Sequence, residues 1–161
     1  MRNLSKSVMP MIHKFSQEQF LPISITEAWD FFSRPSNLSA ITPEDLGFKI
    51  IYQPGEEMYE GQVIEYKVMV APMIWIPWVT EIKTIRQGKS FVDEQRFGPY
   101  KFWHHFHTFE EVDGGVLMKD LVHYALPFWP FGEIGHGIFV RPKLEKIFAF
   151  RKEALAAHFN S

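Results

Sequence analysis

From Phe48 to Leu126 apolar and polar residues alternate with a period of two, and Pro54-Gly55, Gln87-Gly88, Gly98-Pro99 and Asp113-Gly114 interrupt the alternation. A period of two marks half-buried strands, and Gly- or Pro-containing pairs between such runs are hairpin chemistry. The stretch predicts six sequential antiparallel strands at Phe48–Gln53, Gln62–Val70, Trp78–Ile85, Phe91–Phe97, Lys101–Val112 and Val116–Leu126. A meander of this kind cannot cover both of its own faces, so one face needs a helical layer.

The flanks supply that layer. Met11 to Leu21 reads as a seventh strand, closed by Pro22. Ser24 and Glu27 have capping-box spacing, and Ile25, Ala28, Trp29 and Phe32 follow at helical intervals until Pro35. A second short helical turn is predicted over Asn37–Ile41. Lys143 to Phe159 is helical again, with Leu144, Ile147, Phe148 and Leu155 as its buried stripe and Pro142 in its first turn. Lys143, Glu145, Lys146, Lys152 and Glu153 are assigned to its water side. The predicted class is α+β: a curved antiparallel seven-stranded sheet wrapped around a long C-terminal helix, with two short helices after the first strand. With no repeat or linker in view, residues 11–161 are expected to form one domain after a tail at 1–10.

Composition narrows the function. The 161 residues carry a net charge of -2, which gives no electrostatic case for nucleic acid or anionic membranes. The absence of cysteine excludes disulfides, thiolate chemistry and Cys-ligated zinc. No apolar run approaches the roughly 20 residues of a membrane helix, and the opening residues lack the apolar stretch of a secretory signal. The expectation is a cytoplasmic protein without stable membrane insertion. Aromatic residues make up 16% of the chain, with 16 Phe, 5 Trp and 5 Tyr. Each buries roughly 150–250 Å², enough that they either wall a hollow or form an unusually Phe-rich core.

Several phrases within this order resemble the helix-grip (SRPBCC) superfamily of START lipid-transfer domains, birch-pollen-type allergens and polyketide cyclases. They are Leu21-Pro22-Ile23-Ser24 running into Ala28-Trp29-Asp30-Phe31-Phe32, Trp78-Val79-Thr80-Glu81-Ile82, Phe91-Val92-Asp93-Glu94-Gln95 and Gly98-Pro99-Tyr100. Trp103, His105, His107 and Phe109, then Asp120, Val122, Tyr124 and Leu126-Pro127, complete the likeness, which spans roughly Phe15 to Phe159. Bacterial stand-alone ligand-binding members are the nearest in kind. The resemblance implies the helix-grip fold and a hydrophobic pocket between sheet and terminal helix. It implies no reaction, because one fold hosts unrelated functions.

Turn chemistry sets a register. A two-residue turn at Asp113-Gly114 places His107 opposite Asp120, His105 opposite Val122 and Trp103 opposite Tyr124. The same rule at Gly98-Pro99 places Trp103 opposite Glu94 and Lys101 opposite Arg96. At Gln87-Gly88 it places Glu94 opposite Glu81 and Arg96 opposite Val79. One face would then hold Glu81, Glu94, Arg96, Trp103, His105, His107, Asp120 and Tyr124. The other would hold Phe91, Phe97, Phe102, Phe106 and Leu121 among Asp93, His104, Thr108 and Lys119. Periodicity leaves open which face is concave; the resemblance implies the first.

That face could satisfy its own buried polar groups, orient a ligand's polar atoms, or move a proton. As a binding site it would use Glu81, Glu94, Arg96, Trp103, His105, His107 and Tyr124 for a small hydrophobic or amphipathic molecule. As an enzyme of the cyclase, dehydratase or isomerase type it would use His107 as a base oriented by Asp120. His105, His107, Asp120 and Glu94 are too few well-placed ligands to expect a metal, and no cofactor is expected. Two apolar, proline-broken loops, Ala71–Trp78 and Leu126–Phe131, read as a pocket rim, as core folded back, or as a homodimer surface.

Overall fold

The computed structural model describes residues 11–43, 47–128 and 131–159, without the side chains of Phe131 and Glu133. The expected tail at 1–10 and Trp129 of the second apolar stretch lie outside the described residues. Seven strands follow in order: β1 (His13–Leu21), β2 (Phe48–Tyr52), β3 (Val63–Ala71), β4 (Ile74–Arg86), β5 (Ser90–Phe97), β6 (Phe102–Val112) and β7 (Gly115–Ala125). They form one antiparallel sheet in the spatial order β1-β7-β6-β5-β4-β3-β2. The meander places sequential strands side by side, and β1 closes onto β7.

Between β1 and β2 lie helix α1 (Ile25–Phe32) and a 3-10 stretch over Pro35–Ile41. The start of α1 is the predicted capping box: Glu27 N–H donates to Ser24 Oγ at 3.2 Å, and the Glu27 carboxylate accepts from Ser24 N–H at 2.9 Å. Three helical pieces end the chain: α2 (Phe131–Gly135), a π-helical stretch His136–Val140, and α3 (Arg141–Phe159). Pro142 sits in the first turn of α3 as the sequence predicts. The π stretch ends in the bond from Arg141 N–H back to His136 C=O.

The concave face of the sheet packs on α3. Buried Gln19 and partly buried Gln17 project from β1 and donate to the carbonyls of Lys152 and Phe148 at 2.9 and 3.0 Å, fixing the helix along the sheet. Three apolar clusters surround the groove rather than filling it. Leu21, Phe31, Phe109, Val116 and Leu155 pack beneath α1; Trp103, Val122, Tyr124, Leu144 and Phe148 join β6 and β7 to α3; Ile64, Tyr66 and Ile82 form a third. Part of the heavy aromatic load, Phe31, Trp78, Trp103 and Phe148 among it, faces the groove as wall.

The first apolar segment, expected as a loop, is strand for most of its length. Ala71 pairs with Ile74, so Pro72-Met73 is a two-residue turn and β4 begins at Ile74. Trp75 packs closely against Gly47, where an added Cβ would stand 2.6 Å from its ring, and under the Lys49 ammonium. Met73 at the tip is 92% exposed.

The ladder between β6 and β7 has the predicted register, with His107 opposite Asp120 and Trp103 opposite Tyr124. The ladder between β5 and β6 does not. Asp93 faces His105, Phe91 faces His107 and Glu94 faces His104, a slip of one residue from the expected pairing. The cause is the loop. Proline fixes φ near −65° and cannot take the positive φ of a two-residue type I′ turn. Gly98 to Lys101 instead form a wider connection, held where Gln95 donates to Tyr100 C=O at 2.7 Å and accepts from Tyr100 N–H at 3.2 Å. A slip of one residue turns a strand over. Phe91 and Asp93 therefore join the concave face, and Glu94 and Arg96 leave it. Glu81 does face Glu94, but on the outer side, while Val79 faces Phe97 rather than Arg96.

Candidate functional site

Between the concave face and α3 lies a cavity of about 450 Å³. This is within the range of roughly 300–1,000 Å³ for small-molecule sites. Phe31, Leu38, Ile64, Trp78, Trp103 and Phe148 are among its apolar walls, and Asp93, His105, His107 and Arg151 gather at its polar end. Val70 and Phe139 both line the cavity and are 40% and 71% exposed, so the space opens between the β3–β4 hairpin and the π-helical stretch. Lys143 ties the two sides of that opening by donating to the carbonyls of Met69 and Val70, each at 3.2 Å.

The polar end is built by three elements. His105 and His107 alternate on β6, Asp93 projects from β5 and Asp120 from β7, all toward α3. His105 Nε2 lies 2.8 Å from Asp120 Oδ1, and His105 Nδ1 lies 3.4 Å from Asp93 Oδ2. His107 Nε2 lies 2.8 Å from Asp93 Oδ2. His107 Nδ1 is 3.1 Å from Asp120 Oδ1, but off the hydrogen-bond line. The two imidazoles lie with ring centroids 3.7 Å apart. From α3, Arg151 brings its guanidinium 3.7 Å from Asp120 Oδ1 and over the Phe148 ring.

Burial alone would raise the Asp120 carboxyl. The hydrogen bond from His105 and the close His107 imidazole outweigh it and hold the group well below the usual carboxylate range. Asp93 is likewise lowered, its burial outweighed by the charge of His105 and the bond from His107. Burial and the neighbouring ring of His107 push His105 down. For His107 burial acts downward, and the close Asp120 carboxylate and the bond to Asp93 overcome it to raise the group. The site is two carboxylates, two coupled imidazoles and one guanidinium at the end of an apolar hollow.

The residues expected on this face divide. Trp103, His105 and His107 line the cavity, and Asp120 stands directly behind the two histidines. Tyr124 is buried beside Trp103 and Tyr100 and reaches away from the lining, its hydroxyl 2.8 Å from His136 Nε2. Glu81, Glu94 and Arg96 are not in the cavity wall: Arg96 pairs with Glu81 on the outer side of the sheet, where Lys83 joins them at 3.2 Å. His107 also has two carboxylate neighbours where one was expected. The sequence reading missed Asp93 and Arg151. Proline in the Gly98-Pro99 turn signalled the first, and the second completes the stripe Leu144, Phe148, Arg151, Leu155 at intervals of three and four.

No family model and no curated protein matches the chain. Solved structures do. Protein CV1439 from Chromobacterium violaceum superposes with a TM-score of 0.68 and 13% identity over 92% of this chain and 99% of its own. Protein Ms6760 from Mycobacterium smegmatis gives 0.67 and 14% over 91% and 90%. Ara h 8.0201 gives 0.59 and 17% over 91% and 99%. A nucleoside-diphosphate sugar epimerase from Corynebacterium glutamicum matches at 0.67 and 23%, but over only 28% of that protein. At these identities the likeness establishes the fold. It is the helix-grip fold shared by SRPBCC- and Bet v 1-like proteins.

Proposed function

We propose that the protein binds a small hydrophobic or amphipathic molecule in the space between sheet and α3. The observation that carries this reading is a cavity of about 450 Å³ with apolar walls and its charged side chains concentrated at one end. Such a site gains affinity from apolar contact and orientation from a few convergent polar groups. The ligand's body would lie against Trp78, Trp103 and Phe148, and its polar end would meet His105, His107 and Arg151. Native mass spectrometry of gently purified protein is expected to show a retained small molecule that a hydrophobic fluorescent probe displaces. A ligand-free mass together with no saturable probe binding would remove the reading.

A second reading is favoured by one specific arrangement. His107 lines the cavity while its two ring nitrogens face Asp93 and Asp120, so an imidazole is held in orientation next to whatever occupies the space. Exchange of the Asp93 bond for one to the ligand would free His107 Nε2 as a general base with Asp120 beside Nδ1, which fits a cyclase, dehydratase or isomerase that moves a proton on carbon. Ligand recovered from protein kept in deuterated water should carry deuterium at an acidic C–H with the wild type and lose that label with His107→Ala. Equal uptake by the variant would end this reading.

A further inference from the structure

The polar cluster is held by two hydrogen bonds, His105 Nε2 with Asp120 and His107 Nε2 with Asp93, each at 2.8 Å. Four ring nitrogens each face an oxygen of Asp93 or Asp120 at 2.8 to 3.4 Å. Two neutral imidazoles carry only two N–H protons between them. With both protons on Nε2 the two hydrogen bonds are satisfied, and the Nδ1 atoms of His105 and His107 stay 3.4 and 3.1 Å from carboxylate oxygens without a bond. Protonating both rings would supply those two atoms with protons. It would also set two like charges at a centroid separation of 3.7 Å, buried, beside the Arg151 guanidinium. Burial and like charge both oppose that state.

One divalent cation would use the ring nitrogen capacity that the two hydrogen bonds leave over. If the N–H groups of both rings turn to Asp120, His105 Nδ1 and His107 Nε2 present lone pairs on the side of Asp93. Ligand atoms of Asp93, His105 and His107 lie within 4.8 Å of one another. The nitrogen-to-oxygen spacings on that side are 3.4 and 2.8 Å. At metal–ligand bonds of ~2.1 Å, adjacent ligands stand roughly 3.0 Å apart in an octahedral set and roughly 3.4 Å apart in a tetrahedral one. Asp120 would then be the outer carboxylate that fixes both imidazoles, the usual companion of metal-bound histidine. The three ligands line the cavity, so further coordination positions face it. With Arg151 and both carboxylates charged, the loaded cluster has one net positive charge, which a hydroxide or an acidic ligand oxygen cancels.

We propose that Asp93, His105 and His107 form a site for a divalent first-row transition metal, open toward the cavity. Two imidazoles with one carboxylate select such cations over calcium or magnesium. The sequence reading expected no metal because it assigned Asp120 to His107 and found no third histidine on the face. The proposal stands on the side-chain arrangement and is independent of whether an organic ligand binds.

Chelator-treated full-length protein titrated with Co²⁺ and followed by visible absorption tests it. The expected result is saturation at one equivalent with d–d bands of imidazole-bound cobalt, which Zn²⁺ displaces. Asp93→Asn and His107→Gln should weaken binding at least tenfold, the effect typical of losing a ligand or its support. The double variant His104→Gln/His123→Gln, on the outer face, should titrate like the wild type and keeps the test decisive where the buried variants fold poorly. No saturable Co²⁺ binding by the wild type, loss of binding in the outer-face variant, or undiminished binding by folded Asp93→Asn would each overturn the proposal.

Discussion

Asp93 and His105 stand directly opposite each other on the β5–β6 ladder, and the Asp93 carboxylate reaches on to His107 at 2.8 Å. That pairing gives the histidine pair a carboxylate on each side, Asp93 from β5 and Asp120 from β7. It also assigns the neighbouring Glu94 to the outer face. Two adjacent acids on one strand thus have opposite environments, and substitution should separate them.

Asp120 is the more deeply buried partner, facing both imidazoles and Arg151. Removing one member of a buried charge cluster leaves the rest uncompensated, at a cost of about 3–5 kcal/mol. Asp120→Ala is expected to lower the unfolding free energy by about 3 kcal/mol in urea titrations. Glu94→Ala should stay within about 0.5 kcal/mol, as surface substitutions do. Equal effects of the two would contradict the assigned faces.

The hollow itself can be tested by filling it. Leu144 is fully buried on α3 and lines the cavity. Inserting bulk into a packed core costs roughly 1–3 kcal/mol, whereas a side chain entering empty space has room in a normal rotamer. Leu144→Trp should therefore melt within a few degrees of the wild type and lose most of its affinity for a hydrophobic fluorescent probe. A large loss of stability with unchanged probe binding would mean that the space is not available to side chains or ligands.

The architecture was legible because its signals are local. Alternation over Phe48–Leu126, the Ser24/Glu27 box and the α3 stripe each depend on residues close in sequence, and the elements formed near their predicted bounds except β4, which begins at Ile74 rather than Trp78. The β6–β7 register followed from one turn with two permissive residues. The site was less legible because it depends on parity across a turn that proline makes irregular. One residue of slip exchanged Asp93 for Glu94 and carried Arg96 outward with it, although neither strand was misplaced. Arg151 was hidden differently: an arginine at a stripe position reads as a solvent-facing residue unless buried acids are known to await it.

Met73 occupies the second corner of the Pro72-Met73 turn with φ 65°, and its side chain is 92% exposed. Proline followed by a positive-φ residue is the pattern of a type II turn, where glycine or asparagine is usual. A left-handed conformation costs an ordinary residue roughly 1–2 kcal/mol, and an exposed methionine recovers little by packing. Met73→Gly should therefore raise stability by about 1 kcal/mol, less the added freedom of the unfolded chain. Thermal melting checks the sign, and a drop in melting temperature would show that the side chain holds the hairpin.

Arg151 decides what sort of polar end the cavity accepts. Its Nε is buried without a hydrogen-bond partner among the described residues, and its guanidinium both lines the cavity and approaches Asp120. A buried charged donor with unused capacity favours a ligand acceptor, and charge-assisted bonds to an anionic acceptor are the strongest available to it. Arg151→Met retains much of the apolar stem and removes the charge. The variant should bind an anionic sulfonate probe at least tenfold more weakly, a loss of about 1.4 kcal/mol. A neutral probe of similar size should lose little, because its contacts are with the aromatic walls. The comparison is made by fluorescence titration of both probes on folded protein. Parallel weakening of the two would assign Arg151 to holding α3 on the sheet, and a selective loss for the anionic probe would assign it to the ligand.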